Sequence, residues 1–156
     1  MQPIAKAMKT ILTITTCLLL GVITKAQSII AATGGHQTFR LDNIVIYADA
    51  NDEGVVNLAA GLLQKDIEAV TGKAPSLVTS SPGKGSTAII IGSINKSSFI
   101  QSLIGNKKIK AESHKGKWEG YTIQTISNPF AGVSNAIVIA GSDRRGTAFG
   151  VFELSR

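Results

Sequence analysis

A single cysteine among 156 residues leaves nothing to pair with, so an intrachain disulfide framework is excluded. Aromatic residues make up only 5%, too few for the row of stacked rings that holds single-stranded nucleic acid. No apolar run reaches the roughly 20 residues that a membrane span needs. Acids are missing altogether from the first 26 positions, where three of the sixteen basic residues lie (Lys6, Lys9, Lys25). The net charge of +6 therefore overstates the basicity of the remainder, which has 13 basic against 10 acidic residues. That is an ordinary surface balance and not a nucleic-acid footprint. With 44% apolar and 17% charged residues, the composition is globular, and the length suits one domain.

The amino-terminal segment has the layout of a secretory signal peptide. Lys6 and Lys9 precede an apolar run from Ile11 to Ile23 centred on Leu18, Leu19 and Leu20. Thr24-Lys25-Ala26 then supplies small residues three and one before a cut ahead of Gln27. Met8 begins a tighter signal of the same type. Cys17 sits inside the apolar run, after Thr16, and not at its end; this disfavours a lipoprotein signal. Once residues 1–26 are removed no cysteine remains, so the mature chain requires neither an oxidising nor a reducing compartment. The expected localisation is periplasmic or extracellular, with no stable membrane span.

Residues 27–39 read as a leader and 40–156 as one α/β domain, a mixed sheet flanked by helices. Ile44 to Ala48, Thr87 to Gly92 and Ala136 to Ala140 are continuous apolar, β-branched-rich runs, the pattern of strands buried on both faces. Between the first two, Val55, Val56, Ala59, Leu62, Leu63, Ile67 and Val70 recur at helical spacing. Asn51 or Asp49 is the expected cap, Asp52 and Glu53 fall in the expected first turn, and Gly72 is the stop. Pro75 precedes a short strand near Leu77 to Thr79. Residues near Lys96 to Ile104 form a short helix with Phe99, Ile100, Leu103 and Ile104 inward. Trp118 to Ile126 alternates as a half-buried antiparallel strand, with Trp118, Tyr121 and Ile123 on the inner face. After a tight loop from Gly141 to Gly146, a last helix carries Ala148, Val151, Phe152 and Leu154. No polar tail or stop residue follows, so the sequence is expected to end before the protein does.

The strongest candidate site is Asp143-Arg144-Arg145-Gly146, between a buried strand and a helix. A helix N-terminus offers free N–H groups and a favourable dipole to an anion, and two arginines suit a carboxylate or phosphate. The competing reading is structural: the glycines shape the turn, Asp143 caps the helix, and the arginines pair at a domain interface. The spacing matches neither nucleotide-binding glycine motif. Gly83-Lys84-Gly85-Ser86-Thr87 precedes a strand and reads as a flexible turn. His36 and His114 lack neighbouring cysteines or clustered carboxylates, so no metal site and no cofactor is expected. Lys107, Lys108, Lys110, Lys115 and Lys117 read as a solvated edge that discourages strand pairing. There is no G-x-S-x-G nucleophile motif. Glu112, Glu119 and Asp143 have no spacing that singles out a catalytic pair.

Three motifs occur in order: Lys117 to Thr125, Asn128 to Val133, and Ala136 to Gly150. Together with the strand Ile89-Ile90-Ile91-Gly92-Ser93, they resemble the amino-terminal region of glycoside hydrolase family 115, the xylan α-1,2-glucuronidases. The resemblance spans residues 40–156 and is densest from Lys117 onward. It implies an accessory α/β domain that precedes a TIM-type catalytic barrel, as in family 67 α-glucuronidases and β-hexosaminidases. The implied activity of the parent is removal of glucuronic acid, or its 4-O-methyl form, from xylan. The implied partners are the chain's own downstream catalytic domain and xylan-derived glucuronosyl saccharides. Catalytic groups of that family belong to the barrel, so no catalytic residue is carried onto this chain. A free-standing periplasmic carbohydrate-binding or interaction domain is the alternative, and a Rossmann-like nucleotide binder is a third.

Overall fold

A computed structural model describes residues 39–83, 85 and 87–156. The expected signal peptide (1–26), all but the last residue of the leader (27–39), His36, Lys84 and Ser86 lie outside the described residues. The described chain runs β1 (Val45–Ala48), α1 (Gly54–Thr71), β2 (Ser76–Val78), β3 (Thr87–Ser93), α2 (Ser98–Gly105), a 3-10 turn (Glu112–His114), β4 (Tyr121–Ser127), β5 (Asn135–Gly141) and α3 (Arg144–Ser155). The five strands form one sheet in the order β2-β1-β3-β5-β4. β2, β1, β3 and β5 are parallel, and β4 pairs antiparallel with β5. The expected fold class, a mixed α/β sheet flanked by helices, is the one observed.

The apolar runs become central strands because both faces of the sheet are covered. Ile89 and Ile91 of β3 point to the layer of α1 and α3, packing with Val56, Leu63, Val151 and Leu154. The intervening Ala88 and Ile90 point the other way, toward Phe99, Ile100 and Leu103 of α2. With period-2 side chains and helices on both faces, every residue of such a strand must be apolar. The basic segment 107–117 joins the second core through Ile109 and Ala111, both buried, while its five lysines remain exposed. It also shields strand β4 locally, since Gln124 exchanges hydrogen bonds with the backbone of Lys110 at 3.0 and 3.2 Å.

Several local expectations need correction. Helix α1 begins at Gly54, and its N-cap Glu53 makes no side-chain capping bond; no acid lies in its first turn. Its buried stripe is Val56, Ala59, Ala60, Leu63 and Ile67, while Val55, Leu58, Leu62 and Val70 are exposed. The apolar pattern on α1 is thus wider than the face that meets the sheet. Gly72 does end the helix, at φ 74°, where a glycine has no Cβ penalty. Helix α2 starts at Ser98, later than Lys96, because Ser97 and Asp49 cap it. The final helix starts at Arg144, inside the expected loop, because Asp143 is its cap. On that helix Val151 and Leu154 are buried, whereas Phe149 and Phe152 are exposed.

Candidate functional site

The site sits at the carboxyl ends of the parallel strands, where loops leave the sheet. In open α/β sheets this is where ligands bind, at the point where successive connections diverge to opposite faces. Here β1 leads to α1 on one face and β3 to α2 on the other, so the crevice lies between them. It is filled by the protein's own carboxylates. Asp52 is buried and accepts hydrogen bonds from the Ser93 N–H (2.7 Å) and hydroxyl (2.6 Å), and from the Glu53 N–H (2.8 Å). Asp49, also buried, accepts from the Ser98 N–H (2.8 Å) and hydroxyl, and from the Asn51 N–H (2.9 Å). Burial alone pushes Asp49 up, but these hydrogen bonds hold it below the usual carboxylate range. The N-terminus of α2 is therefore already occupied by an anion of the chain itself. That arrangement does not suit the nucleotide reading.

At the next strand end, Asp143 does for α3 what Asp49 does for α2. Its Oδ1 accepts from the N–H groups of Arg145 (2.9 Å) and Gly146 (2.7 Å), and its Oδ2 accepts from the Glu119 N–H (2.9 Å). Burial raises its pKa, but the three N–H donors and the Arg145 charge outweigh that and keep it below the ordinary value. Arg145 forms an ion pair with Glu119 at 3.0 Å. The four residues singled out by sequence are thus adjacent, but the free N–H groups imagined for an outside anion are bonded to Asp143. Arg144 is exposed and lies in the field of Glu53. Glu53 in turn pairs with Lys96 at 2.9 Å, which keeps its carboxyl below the usual range.

Gly146 is needed for closeness and not for a left-handed backbone. A Cβ there would lie 2.4 Å from the Gly120 carbonyl oxygen and 2.9 Å from the Glu119 carbonyl carbon. Helix α3 is pressed against a turn formed by residues 117–120. In that turn Gly120 exchanges bonds with Ser142: its N–H donates to Ser142 Oγ (3.0 Å), and its carbonyl accepts from the Ser142 N–H (2.8 Å). Glu119 takes φ 53°, in the left-handed region that is strained for a residue with a side chain. Trp118, expected on the inner face of the strand, is instead 83% exposed at the head of this turn. The strand begins only at Tyr121, because Glu119-Gly120 bends the chain first. Sequence reasoning missed this union of two motifs; the glycine between Trp118 and the alternating run was the available signal.

Every carboxyl whose titration departs from its ordinary value goes down: Asp42, Asp49, Glu53 and Asp143. A glycosidase general acid needs the opposite shift. The described surface includes depressions of about 400 and 350 Å³. The first, around Phe130 and Val133, has no acid in its lining, and the second, around Ile104, has only Glu112. No group of three His, Cys, Asp or Glu among the described residues is placed to hold a metal ion. No helix among them is long and apolar enough to cross a membrane.

The geometry thus defines an α/β domain whose strand-end crevice is closed by its own side chains. Residues 26–154 match the family model described as the glycosyl hydrolase family 67 N-terminus, and the chain belongs to that family. Its fold is also similar to a solved family GH115 4-O-methyl-α-glucuronidase with specificity for decorated arabinogalactans. The TM-score is 0.56 and the identity 28%, over 72% of this chain and 13% of that enzyme's chain. The resemblance to family 115 is met at the level of structure, and the chain spans only a small part of that relative's length. No curated protein sequence matches the chain.

Proposed function

We propose that this chain is the amino-terminal accessory domain of an exported glycoside hydrolase that removes glucuronic acid or its 4-O-methyl form from xylan. The match to a glycosyl hydrolase amino-terminal family across residues 26–154 carries the reading. The carboxylates of Asp49, Asp52 and Asp143 are each engaged by backbone N–H donors within the fold, which suits an accessory role. The basic region, apolar run and Thr24-Lys25-Ala26 support export with cleavage after Ala26.

The partner of the domain is then the catalytic part of the same enzyme. Helices α1 and α3 lie side by side on one face of the sheet, joined by the Ser155 hydroxyl bonding to Asp66. Their outer surface carries Val55, Leu58, Leu62, Phe149 and Phe152, all exposed. A patch of that kind suits burial against another domain.

Residues 27–156 should release no glucuronic acid from glucuronoxylan oligosaccharides, whereas the enzyme extended through a barrel should. The assay includes decorated arabinogalactan, since the similar solved enzyme is specific for that class. Turnover by residues 27–156, abolished by changing one of their own carboxylates, would overturn the accessory role. An extended enzyme that frees only neutral sugars would overturn the substrate assignment.

A further inference from the structure

Trp118 is the sole tryptophan of the sequence and the most exposed large apolar side chain among the described residues, at 83%. A tryptophan commonly buries about 150–250 Å², so leaving one in water forgoes a large stabilisation. The mount beneath it is nevertheless rigid. Asp143 holds the Glu119 N–H, Ser142 holds both backbone groups of Gly120, and Arg145 holds the Glu119 carboxylate. On the other side His114 lies against Gly120, whose added Cβ would be 3.1 Å from Nδ1. Glu119 is kept at φ 53° by this frame. An exposed aromatic on a fixed support loses little freedom when a ligand lands on it.

Charge narrows the ligand. Lys117 is the residue before Trp118 and Lys115 lies two residues earlier; both are exposed and outside every ion pair among the described residues. Lys107 and Lys110, on the same segment, are likewise exposed and outside every ion pair described. A flat apolar face preceded in the chain by lysines outside every ion pair described suits a ring with an apolar face and a negative group. A pyranose uronic acid has both: axial C–H bonds to lie on the indole, and a carboxylate for the ammonium groups. A nucleic-acid strand would call for several aromatic platforms in series, and the basic segment 107–117 before Trp118 carries no Phe, Tyr or Trp.

We infer that Trp118, with Lys115 and Lys117, is a stacking platform for an acidic sugar. The inference rests on the proposed glucuronidase reading and assigns a saccharide contact to the accessory domain itself. The clamp formed by Asp143, Arg145 and Gly146 positions the platform without touching the sugar.

The lone tryptophan makes the test direct. Residues 27–156 are titrated with a glucuronosyl xylo-oligosaccharide, the matching neutral xylo-oligosaccharide and a single-stranded oligonucleotide, with Trp118 emission as the readout. A saturable change with the acidic sugar is expected at an affinity on the order of millimolar. Its affinity should be about tenfold tighter than for the neutral sugar and should weaken with salt. By calorimetry, Trp118→Ala should bind the acidic sugar about tenfold or more weakly, with an unchanged circular dichroism spectrum. A Lys115→Gln/Lys117→Gln variant should lose the preference for the acidic sugar while keeping the weak neutral binding. Equal binding by Trp118→Ala, no preference for the acid, or a saturable response from the oligonucleotide alone would each overturn the platform. An active extended enzyme whose accessory domain binds equally well without Trp118 removes this inference only. An inactive extended enzyme with an intact Trp118 response removes the glucuronidase reading instead.

Discussion

Asp143 joins the N-terminus of α3 to the backbone of Glu119: one carboxylate oxygen caps the helix at 2.7 and 2.9 Å, and the other accepts the Glu119 N–H at 2.9 Å. The same side chain therefore serves two elements that are far apart in sequence. Replacing it with alanine removes the cap and leaves the Glu119 N–H without its partner. Asp143→Ala should lower stability by about 1–3 kcal/mol. Urea denaturation measures this, and a loss below about 0.5 kcal/mol would show that the clamp is dispensable.

Acid should weaken the domain. Asp49 and Asp143 both titrate below the ordinary carboxylate range when folded. A depressed folded pKa contributes stability that is fully present above the unfolded pKa of about 4 and is lost as pH falls through the folded value. The free energy of unfolding should therefore fall from about pH 4 downward, and the fall should be smaller in an Asp49→Asn/Asp143→Asn double variant. An identical acid dependence in that variant would assign the loss to other groups.

Gly146 and the arginines beside it should behave oppositely. An alanine Cβ at position 146 would overlap the Gly120 carbonyl oxygen at 2.4 Å, and backbone there has little room to yield. Gly146→Ala should cost about 1–3 kcal/mol and shift the emission of Trp118. Arg144→Ala/Arg145→Ala removes only one exposed ion pair, with Glu119, and should cost no more than about 1 kcal/mol. Thermal unfolding of both variants tests the contrast; a double-arginine loss as large as that of Gly146→Ala would make the arginines part of the fold.

Export predicts a defined terminus. Mass spectrometry of the secreted or periplasmic protein should find Gln27, free or cyclised, as the first residue. Full-length chain retained in the membrane would count against cleavage after Ala26.

The three central strands, the long helix and its glycine stop were legible because each writes a local pattern. A strand covered on both faces is apolar at every position, and a packed helix repeats its apolar residues every three or four. Asp143-Arg144-Arg145-Gly146 was legible as a junction between strand and helix. The occupant of that junction was not, since the Glu119 N–H reaches Asp143 across the antiparallel pairing of β4 with β5, a contact between segments 24 residues apart. The same holds for Asp49 and Asp52, which by local rules belong to α1. Their partners, Ser98 and Ser93, lie more than forty residues away.

By itself the sequence determined the α/β class, the buried strands and the family resemblance, because these follow from periodicity and from motifs read in order. Only the tertiary structure decided which polar groups meet and which apolar ones stay outside. Val55, Leu58 and Leu62 have the composition of a core face but are exposed, since the sheet accepts only one side of α1. Trp118 looks like the first inward residue of a strand, yet the clamp on Glu119 and Gly120 turns it out into solvent. Hydrogen bonds between distant segments fix such positions, and the sequence's local periodicity carries no record of them.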